Sequence, residues 1–153
     1  MKLISSAFEH ETHIPSKYSC EGKNINPPLT FVEVPKETKS LVLLMDDPDV
    51  PVWVRSDQIY DHWVVFNIPP TSSGLLENSL PPGIEGINSA GESKYTGPCP
   101  PDREHRYFFM LYALDILLPL ECHATKEDVK KAMEGHIIAK AELMGRYEKK
   151  VQK

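Results

Sequence analysis

Two short stretches of this chain set ionisable groups on proline-stiffened backbone. The first is Asp46-Asp47-Pro48-Asp49-Val50-Pro51. The second is Gly97-Pro98-Cys99-Pro100-Pro101-Asp102-Arg103-Glu104-His105-Arg106-Tyr107, and Asp61-His62-Trp63 adds another imidazole. Carboxylates, imidazoles and a phenol can hold a polar ligand or move a proton. A histidine beside a carboxylate has its charged form favoured, and imidazolium and phenol both donate hydrogen bonds. If Asp47, Asp49, His62, His105 and Tyr107 meet, a small anion such as phosphate fits between them. The same residues allow other chemistry. Two aspartates and two histidines can ligate a divalent metal, but no compact spacing such as His-x-x-x-His is present, so neither a metal nor another cofactor is expected. A His–Asp pair can also activate water against a phosphate or acyl ester. The nucleophile elbow Gly-x-Ser-x-Gly, a phosphate loop and a dinucleotide fingerprint are all absent, and the chain reads as a non-enzyme.

Strands must position these groups. Ser40 to Met45 is continuously apolar and predicts a strand buried on both faces, delivering Asp47 on the side of Leu41, Leu43 and Met45. Asp61 to Ile68 predicts a second strand, with His62, Val64, Phe66 and Ile68 on one face and Trp63, Val65 and Asn67 on the other. His105 to Leu114 carries the strongest strand signal and puts His105, Tyr107, Phe109 and Leu111 together. Leu29 to Val34 reads as a short strand, as does Ile84 to Asn88, whereas residues 1 to 30 read as irregular. Thr125 is a helix cap with an acid three residues on, and Gly135 ends that helix. Residues 136 to 147 are helical by propensity, yet Ile137, Ala139, Ala141 and Leu143 alternate with polar positions. A final strand over about 137 to 146 is the reading, because it closes the sheet of an otherwise β chain. The long irregular stretch from 71 to 104 is of a length that usually serves function.

With 153 residues the chain predicts one domain with a real core. A formal net charge of -5 argues against nucleic-acid and anionic-membrane partners. No signal-peptide apolar segment follows Met1, and no apolar run reaches the length of a membrane span. Cys20, Cys99 and Cys122 are odd in number and scattered. They predict reduced thiols and a cytoplasmic protein, with Cys99 buried or inert rather than reactive.

On these residues the chain resembles the phosphatidylethanolamine-binding protein family, also called the Raf kinase inhibitor protein family, in its compact bacterial and archaeal branch. Tyr18-Ser19-Cys20-Glu21-Gly22 through Asn26-Pro27-Pro28-Leu29 is similar to the family's opening loop. Asp47-Pro48-Asp49-Val50-Pro51 is similar to its first signature. Asp61 through Pro69 resembles the strand that brings in the pocket histidine, and Pro100-Pro101 with His105-Arg106-Tyr107 resembles the second signature. Ala139 through Tyr147 is similar to the branch's last strand.

The resemblance implies an antiparallel β-sandwich with one or two short peripheral helices and a small anion pocket at one end. It implies a pocket of Asp47, Asp49, Val50, Pro51, His62, Gly97, Pro100, Pro101, His105 and Tyr107. Cys99 stands where the family often has glycine. The chain stops at Lys153 without the C-terminal helical extension of many eukaryotic members, so a more open pocket is expected. The reading is a non-enzymatic module for a small anionic or phosphorylated ligand, with kinase or protease inhibition as the family analogy. A His/Asp hydrolase and a homo-oligomeric interaction protein with a vestigial pocket are the alternatives. A homodimer is expected, with Trp53 as an exposed aromatic anchor.

Overall fold

The computed structural model describes residues 1–150. In chain order the strands are β1 (Lys2–Ile4), β2 (Leu29–Val32), β3 (Ser40–Asp47), β4 (Tyr60–Ile68), β5 (Gly74–Leu75), β6 (Ile84–Glu85), β7 (His105–Leu114) and β8 (Ile137–Tyr147). The helix α1 (Lys126–Met133) lies between β7 and β8, and a 3-10 turn occupies Ser16–Tyr18. All pairings between strands are antiparallel. They form one sheet of order β1-β2-β5 and a second of order β6-β4-β3-β7-β8.

The central position of β3 follows from its composition. Leu41, Leu43 and Met45 pack with Trp63, Val65, Tyr107, Phe109 and Leu111 against Leu3, Leu29, Phe31 and Leu75 of the small sheet. Val42 and Leu44 point the other way. With Val64, Phe66, Tyr112 and Leu114 they meet Val129 and Met133 of α1. The large sheet is thus apolar on both faces, which is why its middle strand lacks alternation. The mainly β antiparallel sandwich expected from the sequence is what the chain forms.

The segment 137 to 146 is a strand and pairs with β7 along its length, from His105↔Tyr147 to Leu114↔Ile137. The helix starts as expected. The Thr125 side chain accepts from the Asp128 amide while the Asp128 carboxylate accepts from the Thr125 amide, and Gly135 takes a positive φ of 79° beyond the helix end.

Four expectations need correction. Residues 1 to 30 are not wholly irregular, because Lys2–Ile4 pairs with β2. Ile84 to Asn88 forms a ladder only at Ile84–Glu85, and Leu29 to Val34 only to Val32. The face assignment along β4 fails at both ends. Asn67 adopts a left-handed φ of 53° where the register shifts, so Ile68 turns to the side of Trp63 and Val65. The Asn67 amide is held there by Leu118, donating to its carbonyl at 2.9 Å and accepting from its N–H at 2.8 Å.

Candidate functional site

The second register shift in β4 builds the site. Met45 pairs with Trp63 and Asp46 with Asp61, which leaves His62 as an extra residue without a partner on β3. Such a bulge re-aims a side chain. Strict alternation would send His62 toward α1 with Val64. Instead its ring lies 5.3 Å from the Tyr107 ring and 4.8 Å from the Tyr60 ring, on the inter-sheet side. β7 needs no such device, since His105, Tyr107 and Phe109 share a face by simple parity. Asp47 ends β3 on that same side, paired across to Tyr60.

These side chains surround a cavity of about 230 Å³. That is small beside pockets for drug-sized molecules and suits a head group of a few heavy atoms. Of the residues anticipated from the sequence, Asp47, Val50, His62, Gly97, Pro101, His105 and Tyr107 line it. Asp49, Pro51 and Pro100 are not part of its wall. The Asp49 carboxylate turns to β7, where it accepts from the Arg106 backbone N–H at 2.8 Å and from its guanidinium at 2.8 and 3.0 Å. Burial opposes this carboxylate's charge, but the Arg106 hydrogen bonds prevail and hold its pKa below the ordinary value. Asp49 therefore fastens the β3 loop to β7. Val54, Tyr60, Thr96 and Cys99 also line the cavity, and sequence reasoning missed them. Tyr60 sits two residues before His62, a signal that was available. Thr96 carried none.

The two histidines differ in state. His105 is fully buried, with Nδ1 2.6 Å from Asp47 Oδ2 and Nε2 2.7 Å from Asp102 Oδ1. Carboxylates on both sides of the ring favour donation from both nitrogens, the imidazolium form. Burial pulls its pKa down, but Asp47 and then Asp102 outweigh it and raise the pKa above the ordinary value. His62 is 4% exposed, and its Nδ1 lies 2.6 Å from the Thr96 carbonyl oxygen. A carbonyl accepts only, so Nδ1 carries the proton. Burial lowers the His62 pKa despite the opposing pull of the Thr96 carbonyl and of Asp47, Asp46 and Asp61. The ring is neutral, and Nε2 presents a lone pair. Of the two histidines, only His105 has its charged form favoured on balance by its surroundings. The Tyr107 hydroxyl is buried, with the Asp47 carboxylate and the Cys99 backbone N–H near it but no partner at good hydrogen-bond geometry among the described residues. Desolvation and the charge of Asp47 push its pKa up, so it remains a donor.

The cysteine expectation is also corrected. Cys20 and Cys99 are joined in a disulfide across 79 residues, with Cα atoms 5.5 Å apart, while Cys122 is free and exposed. The opening loop folds back on the pocket loop. The Cys20 amide donates to the Pro98 carbonyl at 3.0 Å, and the Gly97 amide to Asn24 Oδ1 at 2.7 Å. Gly97 is required here because a Cβ would lie 2.0 Å from the Tyr18 carbonyl oxygen.

Comparison with known proteins agrees with this architecture. A UPF0098 protein of Chlamydia trachomatis is 54% identical over 149 residues, covering 97% of this chain and 99% of that one. A UPF0098 protein of the archaeon Methanothermobacter thermautotrophicus is 52% identical over 153 residues, covering 96% and 98%. The crystal structure of a phosphatidylethanolamine-binding protein homologue from Chlamydia trachomatis superposes with a TM-score of 0.94 at 53% identity, covering 97% of each chain. Escherichia coli YbcL, described as a member of the mammalian family, gives 0.87 at 30% identity, covering 97% of this chain and 98% of its own. Residues 4–148 match the family model of phosphatidylethanolamine-binding protein, so nearly every element described above falls within the match, and the chain belongs to that family.

Proposed function

We propose that the protein is a non-enzymatic binding module whose pocket holds a small oxyanion head group, phosphate or a phosphorylated group. The observation that carries this reading is the buried Tyr107 hydroxyl, which among the described residues has no partner at good hydrogen-bond geometry and faces a recess beside His62 and the clamped His105. A buried donor without a partner is costly, and a ligand oxygen supplies the partner. Titration of labelled protein with phosphate and phosphoethanolamine, followed by NMR, tests it. Shifts confined to the pocket with saturable binding are expected, weakened about tenfold by Tyr107→Phe. Absence of any saturable shift would mean that the pocket serves another ligand.

The non-enzymatic part of the reading has its own support. Both nitrogens of His105 are engaged, Cys99 is in a disulfide, and the Thr96 hydroxyl is held by Asn88 at 3.0 Å. None of these is an activated nucleophile. Aryl phosphate and aryl acetate esters are expected to turn over no faster than in buffer, and turnover abolished by His62→Gln would establish the hydrolase instead.

The reading extends to assembly as a homodimer and to regulation of a protein partner such as a kinase or protease. Val52, Trp53 and Val54 are 63%, 71% and 45% exposed on the loop beside the pocket. Trp53 is not part of the cavity wall, which leaves it available as an anchor. Sedimentation should give a species of twice 17.3 kDa that Trp53→Ala reduces to the monomer.

A further inference from the structure

We propose that the pocket requires a ligand that brings its own proton, so that it takes singly protonated phosphate monoesters and rejects sulfate and phosphodiesters. This inference rests on the oxyanion reading and adds a condition to it.

The condition comes from counting donors and acceptors. His105 lines the cavity, yet both its N–H groups are spent on Asp47 and Asp102 at 2.6 and 2.7 Å. The one imidazolium of the site therefore offers the ligand charge but no free N–H. Among the described residues no lysine or arginine lines the cavity. Arg106 is occupied by Asp49, and one Arg103 guanidinium nitrogen donates to the Asp49 carbonyl at 3.3 Å. What remains is mixed. Among the described residues the Tyr107 hydroxyl is a donor without a well-aligned partner. His62 Nε2 is an acceptor, because Nδ1 is committed to the Thr96 carbonyl and the ring is buried. Asp47 adds a carboxylate to the wall. A fully deprotonated oxyanion satisfies Tyr107 but sets bare oxygens against the His62 lone pair and the Asp47 carboxylate. A P–OH group reverses the second contact, donating to His62 Nε2 while another ligand oxygen accepts from Tyr107. Leaving a buried acceptor unpaired, or facing it with an anion, costs about a factor of ten or more in affinity.

Calorimetry with three probes tests this on the unmodified protein: methyl phosphate, dimethyl phosphate and inorganic sulfate. Methyl phosphate is expected to bind about tenfold more tightly than the other two. Its affinity should rise as the pH falls from 7.5 to 5.5, because the phosphomonoester dianion takes up its single proton near pH 6. The groups facing His62 are Tyr60, Tyr107 and Asp47, with Asp46 and Asp61 acting through their charge and the Thr96 carbonyl through its hydrogen bond. The buried, neutral His62 leaves the ligand as the main titrating partner. His62→Gln, whose amide offers a donor as well as an acceptor, should shrink the preference over sulfate to about threefold or less. Equal binding of sulfate and methyl phosphate overturns the proton requirement while leaving the oxyanion reading standing. If none of the three binds, both fall together.

Discussion

At the scale of single residues, the chemistry is governed by how each histidine is held. His105 sits between two carboxylates, one of them the 3% exposed Asp47. Removing the imidazolium strands a buried charge, so His105→Ala should cost about 3 kcal/mol in urea unfolding. The pH dependence follows from its raised pKa. Stability from a raised histidine is fully present below its unfolded value, about pH 6.5, and is lost as the pH climbs through the folded value above it. Tm should therefore decline as the pH rises above about 6.5, and His105→Gln should remove that part of the slope. Asp49 and Asp102 act in the opposite sense. Their lowered values add stability above the ordinary carboxylate range, which is lost on acidification. The sequence revealed Asp47, His105 and Tyr107 because each lies on a strand of unbroken parity. It could not reveal that His105 would be saturated, since that depends on Asp102 curling back from the Pro100-Pro101 loop.

Elements explain the rest of what was and was not legible. β3, β4, β7, β8 and α1 were readable because apolar patterning and a capping signal are local. β1 and β5 were not, being three and two residues long and held by pairing with β2 alone. The bulge at His62 was hidden for a different reason. An extra residue in a strand changes no residue type, yet it reverses a side chain. His62 reaches the pocket only because of it, and the same break of phase at Asn67 redirects Ile68. The loops are fastened as closely as the strands. Gly97→Ala would drive a methyl group into the Tyr18 carbonyl. A loss of about 2 kcal/mol and weaker ligand binding are expected, measurable by denaturation and by the phosphate titration.

For the molecule as a whole, the main correction is covalent. Scattered cysteines give no spacing from which a pair can be read, and the Cys20–Cys99 link emerges only when the opening loop folds over the pocket loop. Closing a loop of 79 residues restricts the unfolded chain by up to about 4 kcal/mol in the entropic account. Reduction with a dithiol should lower Tm by at least several degrees, and Cys20→Ser should reproduce the effect. A Tm unmoved by either would show that the loops are held by hydrogen bonds alone. The link also weighs on the expectation of reduced thiols, since disulfides persist in oxidising surroundings. No helix among the described residues is long and apolar enough to cross a membrane.

The ammonium of Lys126, the first residue of α1, lies 2.7 Å from Asp61 and 3.2 Å from Asp46. Those aspartates adjoin His62 and Asp47 in the chain but face the opposite side of the sheet. The sheet is thus a thin wall with a rivet on its outer surface and the cavity on its inner one. Removing the rivet by Lys126→Met leaves two carboxylates confronting each other across β3 and β4 at the point where the wall carries the site. Their repulsion would pry the strands apart beneath Asp47 and His62. Phosphate affinity should fall severalfold in this variant, although Lys126 is not part of the cavity wall. Unaltered affinity, measured by the same calorimetry, would mean that the two surfaces are mechanically independent.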